Sequence, residues 1–206
     1  MSEALTDRLV RTARNELGQA LAALCAEVGA AESSILLPAS ETELAFFAST
    51  NPVLLRADAP RVPISASFSG IAYFTGQTIA VADAASQAPH YKAVDEMVAS
   101  RTREFAAIPC AARTVVGVLT LVNRPASDGE ERRPFNIAEL RRAEALAGET
   151  ARAIALLPGL VGIAPPPGDS APAVAAELLA DLARLNEAEH RVVQAVVGAL
   201  LRNRDE

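Results

Sequence analysis

Between Ile64 and Asn123, runs of strand-forming residues bracket a long polar segment, and no other stretch limits the possible folds of this chain so tightly. The last run, Val115-Val116-Gly117-Val118-Leu119-Thr120-Leu121-Val122, is apolar almost without interruption, which predicts a central strand covered on both faces. Thr78 to Ala82 and Glu104 to Cys110 read as further strands, the latter joined to the central run by a tight connection at Ala111-Ala112-Arg113. The intervening residues 84–102 are too polar for a core and too punctuated for a linker. With one short helix near Val94 to Ala99, they are expected to lie over something as a lid.

The flanks supply the rest of a domain. Leu5, Leu9, Ala13, Leu17, Leu21, Leu24 and Val28 recur at spacings of three and four, which predicts one amphipathic helix over residues 2–29, ended by Gly29. Ser33 to Leu37 and Leu44 to Thr50 read as a hairpin, with Asn51-Pro52 stopping its second strand and a short strand beginning at Val62 and Ile64. Ser67 or Ser69 is placed to cap a helix over 70–75 that ends at Gly76. Phe135, Leu140, Ala143, Leu146, Ala147, Ile154 and Leu157 trace a second long helix stopped by Pro158-Gly159. Both long helices are expected on one face of the sheet. Residues 158–172 form a Pro/Gly-rich linker, and residues 173–206 an amphipathic helical tail that must dock on the domain or on another chain.

Composition narrows the function. A net charge of −6 argues against binding a nucleic-acid backbone, which requires clustered Lys and Arg. Cys25 and Cys110 are too few for a disulfide framework and read as buried free thiols in a reducing compartment. No leader and no membrane-length apolar run is evident, so the chain reads as soluble and cytoplasmic. Lys92 is the sole lysine among many arginines, and alanine is abundant, which suggests a GC-rich, bacterial genome. The two histidines lie a hundred residues apart and the cysteines stand alone, so neither a metal site nor a resident cofactor is expected. A Gly-rich phosphate loop, a Gly-x-Ser-x-Gly elbow and a catalytic nucleophile with its base are all missing from the sequence.

The order of elements, and the wording of Gly70-Ile71-Ala72, Thr75-Gly76, Asp83, His90-Tyr91-Lys92, Val94-Asp95, Arg101-Thr102-Arg103, Ile108-Pro109, Val116-Gly117-Val118-Leu119, Leu121-Val122-Asn123 and Phe135, resemble the GAF domains. The resemblance covers about residues 5–157, within a domain spanning 1–157. It implies an α/β (α+β) fold: an antiparallel sheet of five to six strands, terminal helices on one face and a ligand pocket on the other. The lid is most similar to that of the cyclic-nucleotide phosphodiesterase subgroup. In nucleotide-binding members a signature runs Asn-Lys, a gap, Phe, three residues, Asp-Glu. Here Asn123-Arg124 precede Phe135, and Glu139-Leu140 stand where the acids would be, which implies a structural ion pair between Arg124 and Glu139 across the back wall of the pocket.

Each candidate residue carries two readings. Asp83 either accepts hydrogen bonds from a ligand or caps the backbone amides of the lid. His90 and Tyr91 either stack on and bond a planar ligand or belong to an exposed lid. Asp95 and Thr102 reach a pocket or lie on a surface helix. Ser34 lies at the pocket edge, as the resemblance implies, or in a helix-to-strand turn. Phe68 lines the pocket or, with Tyr73, Phe74 and Phe105, fills it. The expected function is a non-catalytic sensory module that binds a small molecule, a cyclic nucleotide among the candidates, and signals through a homodimer of terminal helices. A GAF-fold adaptor acting on a downstream protein through residues 173–202 is the first alternative. A free methionine sulfoxide reductase is the second, set back because the lid has no cysteine. Neither nucleic acid nor membrane is expected as a partner.

Overall fold

The structure, a computed structural model, describes residues 3–125 and 133–160, with side chains from 11 to 154 inside those limits. The linker beyond Leu160 and the tail at 173–206 lie outside the described residues. Within them, α1 (Glu3–Val28), β1 (Glu32–Pro38), β2 (Glu43–Ser49), β3 (Val62–Pro63), α2 (Phe68–Thr75), β4 (Ile79–Val81), α3 (Lys92–Val98), β5 (Phe105–Ala111), β6 (Val115–Val122) and α4 (Ile137–Leu160) follow in order. Leu17–Ala151 make up one compact unit. The first part of α1 and the last part of α4 fall in another.

Six strands form a single sheet in the order β3-β2-β1-β6-β5-β4, every pairing antiparallel. The apolar run at 115–122 is indeed central, flanked by β1 and β5. Side chains alternate across the sheet with the period of two that extended backbone imposes. Ile35, Ala106, Ile108, Leu119 and Leu121 face one core, together with Leu17, Leu21, Leu24 and Val28 of α1 and Ala143, Ala147 and Ala151 of α4. Leu36, Ala107 and Val118 face the other, with Val62 and with Ala72 of α2. Leu21 has no exposed surface, and burying such a side chain contributes about 1.5–3 kcal/mol. Small residues on α4 let it pack closely, and Arg142 Nε meets Glu27 Oε1 of α1 at 2.6 Å.

Local chemistry sets the element ends. Ser67, not Ser69, caps α2: its Oγ accepts from the Gly70 N–H at 2.9 Å and donates to the Pro63 carbonyl at 2.6 Å. Gly76 closes the helix at φ +67°, in the left-handed region that glycine adopts without a Cβ penalty. The stretch after Asn51, which the sequence leaves irregular, contains a 3-10 turn at Pro52–Leu55, capped by the Asn51 side chain. One boundary differs: α4 continues to Leu160 rather than stopping at Pro158-Gly159. A proline so near a helix end removes a single backbone donor, so the last turn can persist.

Candidate functional site: a cavity under a latched lid

Residues 84–102 leave the sheet after β4 and return to it before β5. The base of this excursion is pinched shut, since the Ala84 N–H donates to the Arg103 carbonyl at 2.8 Å and the Ala85 N–H to that of Thr102 at 3.2 Å. Asp95, in the first turn of α3, fastens the interior. Its Oδ2 lies 3.0 Å from His90 Nε2 and accepts the Thr102 N–H at 2.9 Å, while its Oδ1 accepts the Thr102 hydroxyl at 2.5 Å. One carboxylate thus ties the segment leading into the lid helix, at His90, to the segment leaving it, at Thr102. Hydrogen bonds to a carboxylate contribute roughly 1.5–3 kcal/mol each, so the latch favours the closed arrangement of the lid. The Asp95 and His90 side chains are only 15% and 9% exposed, which makes these bonds internal fastenings and not surface contacts.

Beneath the lid is a cavity of about 70 Å³. At about 10–15 Å³ per water it has room for several. Its floor is the sheet face of Ser34 and Leu36 on β1 and Thr120 and Val122 on β6; its roof is His90, Tyr91, Val94, Asp95 and Val98. Phe68 and Phe105 form a side wall, their ring centroids 5.9 Å apart and their planes tilted by 36°. Polar groups on the floor are largely satisfied: Ser34 Oγ pairs with Ser49 Oγ at 2.8 Å, and the Thr120 hydroxyl donates to the Ser34 carbonyl at 3.4 Å.

The structure therefore brings Ser34, Phe68, His90, Tyr91, Asp95 and Thr102 to one cavity. Asp83 is not among its lining residues and makes no side-chain capping bond. The extended strand ends before it, and its main-chain carbonyl accepts from Ser86 Oγ instead. Of the four rings considered as fillers, Phe68 and Phe105 line the cavity, Tyr73 packs in the adjoining core, and Phe74 is 83% exposed. Because α2 packs only one side on the sheet, consecutive residues 73 and 74 cannot both face inward.

Arg124 and Glu139 meet at 2.7 Å, but not on the cavity wall. Arg124 lies 4.6 Å above the Phe135 ring, in the core on the helix side of the sheet, and its Nη1 donates to the Val28 carbonyl at the end of α1. The pair thus joins the end of α1, the exit of β6 and the start of α4. Burial raises the Glu139 pKa, but hydrogen bonds from Arg124, from the Asn136 N–H and from Arg133 outweigh it and hold the carboxyl below its ordinary value.

Several lining residues went unnoticed in the sequence. Glu32 shares the β1 face with Ser34 and Leu36 at a spacing of two, and Thr120 shares the β6 face with Val118 and Val122. That period was readable once one member of each strand had been assigned to the cavity. Asn123 gives no such signal. At φ +53° its side chain accepts the Arg103 N–H at 2.7 Å and donates to the Arg101 carbonyl at 3.1 Å, and its own carbonyl accepts the Ala31 N–H at 2.8 Å.

Both thiols lie away from the cavity, in the core shared with the long helices. Burial pushes Cys25 up to about 11 and Cys110 up to about 12, which leaves little nucleophilic thiolate near neutrality. Among the described residues no group of three His, Cys, Asp or Glu side chains is arranged to hold a metal ion, and no helix is long and apolar enough to cross a membrane.

Comparison with known proteins agrees with this architecture. Curated proteins yield no sequence match. Among solved structures, the GAF domain of a phosphoenolpyruvate-protein phosphotransferase from Coxiella burnetii is similar at 20% identity and a TM-score of 0.60, covering 79% of this chain and 100% of that one. The GAF-B domain of DevS from Mycobacterium smegmatis is similar at 19% identity and a TM-score of 0.55, over 74% of this chain and 99% of that one. A type II free methionine-R-sulfoxide reductase from Thermoplasma acidophilum shares the fold at 12% identity and a TM-score of 0.55, over 69% of this chain and 92% of that one. A family model described as GAF domain matches residues 4–155. With three-quarters of its length accounted for by that match, this chain belongs to the GAF domain family.

Proposed function

We propose that the chain is a cytoplasmic sensory module that admits a small molecule beneath residues 84–102 and registers its presence through the lid. The cavity under the Asp95 latch carries this reading: a polar flap held by a few replaceable hydrogen bonds over a partly apolar void is suited to respond to a guest. A ligand shifts such a lid only by its difference in affinity for the open and closed arrangements. The two buried thiols fit a reducing compartment. Signal output through a homodimer of the terminal helices, and through residues 173–202 to a downstream protein, completes the reading.

A cyclic nucleotide is a poor guest. Pockets for drug-sized ligands run to roughly 300–1,000 Å³, well above the void here. Among the described lining residues there is no Arg or Lys to meet a phosphodiester. Reduction of methionine sulfoxide is disfavoured by thiols that face the other core. The small size of the void is the one observation that favours the adaptor reading.

Amide hydrogen exchange on the full chain, with and without a panel of nucleotides and small polar metabolites, tests the proposal. Slower exchange across 92–102 with at least one compound supports a sensor. No binder in the panel, together with Asp95→Asn leaving the exchange of those amides unchanged, refutes both the latch and the reading built on it. Ligand affinity unchanged, but partner binding lost, on deleting 173–206 would favour the adaptor.

A further inference from the structure

Acidic side chains outnumber basic ones on the cavity wall. Glu32 and Asp95 both border it, and His90, the one basic side chain among the described lining residues, is engaged by Asp95. Asp95 is already engaged by three bonds to His90 and Thr102. Glu32 is not: its Oε2 accepts one bond, from Asn51 Nδ2 at 3.1 Å, and its Oε1 has no partner among the described residues. Ser69 is also on the wall and brings a hydroxyl group to it. Phe46, Phe68, Tyr91 and Phe105 supply aromatic surface around these polar points.

An anion entering here would meet two carboxylates and no free cation. A cation would find a carboxylate oxygen with an open lone pair, a hydroxyl oxygen able to accept, and ring faces that attract positive charge. We infer that the cavity takes a small organic cation of the primary ammonium class, its nitrogen on Glu32 and its few carbons against Phe68 and Phe105. This rests on the proposed function, since it specifies the guest of the same cavity. The limited volume sets the size of that guest at a handful of heavy atoms.

Propylammonium, 1-propanol and propionate match in size and differ in charge, so they separate the terms. Each is titrated into the full chain and followed by amide NMR shifts of residues 92–102. The expected order is propylammonium tighter than propanol by about tenfold, the gain of a charge-assisted hydrogen bond, with propionate weakest. Glu32→Gln is expected to remove that advantage while leaving propanol binding unchanged. Should the variant fail to fold, as judged by its thermal melt, Ser69→Ala serves instead and is expected to weaken propylammonium several-fold. Propanol or propionate binding as tightly as propylammonium overturns the cation assignment and leaves the cavity as a ligand site. No lid shift with any of the three overturns the assignment, while the sensor reading is decided separately by the metabolite panel and Asp95→Asn.

Discussion

Adding one methyl group at Gly70 and the same group at Gly18 is expected to move stability in opposite directions. A Cβ built on Gly70 falls against the backbone of Ile64, with the carbonyl carbon at 2.5 Å and the oxygen and Cα nearer still. Ordinary contact begins near 3.5 Å, so helix α2 or the chain at Ile64, just past β3, must retreat by more than ~1 Å. The obstructing atoms are main chain, and Ile64 is itself held by its N–H to the Thr42 carbonyl, so neither side yields cheaply. Overpacking of this kind costs about 3 kcal/mol, of which alanine's helix propensity returns about 1. Gly70→Ala should therefore destabilise by about 2 kcal/mol and lower Tm by about 4–8 °C. At Gly18 a Cβ meets nothing within 4 Å, so Gly18→Ala should stabilise by about 0.5–1 kcal/mol. Urea unfolding with an unchanged m-value measures both. If Gly70→Ala proves neutral or stabilising, or if the two substitutions shift the midpoint in the same direction, the close approach of α2 to Ile64 is wrong.

The remaining predictions concern charge and thiol chemistry. Glu139 has a folded-state pKa held below its usual 4.5, so it binds fewer protons in the folded chain than in the unfolded one. Its stabilisation is fully present above pH 4.5 and is lost as pH falls through the lowered value. Glu139→Gln should be less stable than the parent at pH 7, with the gap narrowing below pH 4.5 in acid unfolding curves. A gap independent of pH would deny the Arg124 bond its role. At pH 8 the native thiols should be almost inert to a disulfide reagent, with roughly one Cys25 in a thousand ionised, and labelling should follow the urea unfolding curve. Fast labelling of Cys110 in native protein would contradict its burial.

The architecture was legible because its signals are local and repeated. The α1 stripe, the unbroken apolar run of β6 and the Ser67-to-Gly76 helix each combine a period with punctuation, and all appear in the structure near the expected bounds. The site was only partly legible, because cavity walls depend on pairing. Glu32 borders the void because β1 registers Glu32 against Val122 and Ser34 against Thr120, a relation across the sheet that no window along the chain contains. Arg124 and Glu139 were paired correctly but assigned to the wrong face, since a residue just past a strand end has left the alternation that would place it. Asp83, likewise past the end of its strand, is not among the lining residues.

Asn123 gives the lid a mechanical consequence. Its carboxamide grips the returning flap at Arg101 and Arg103 while its main-chain oxygen secures Ala31, and Arg124 beside it clasps the last turn of α1. The flap's anchor and the helix's anchor are thus neighbouring residues at one left-handed corner. Lifting the flap from that corner requires breaking the two hydrogen bonds of the Asn123 carboxamide. Two adjacent residues thus hold elements that lie on opposite surfaces of the sheet.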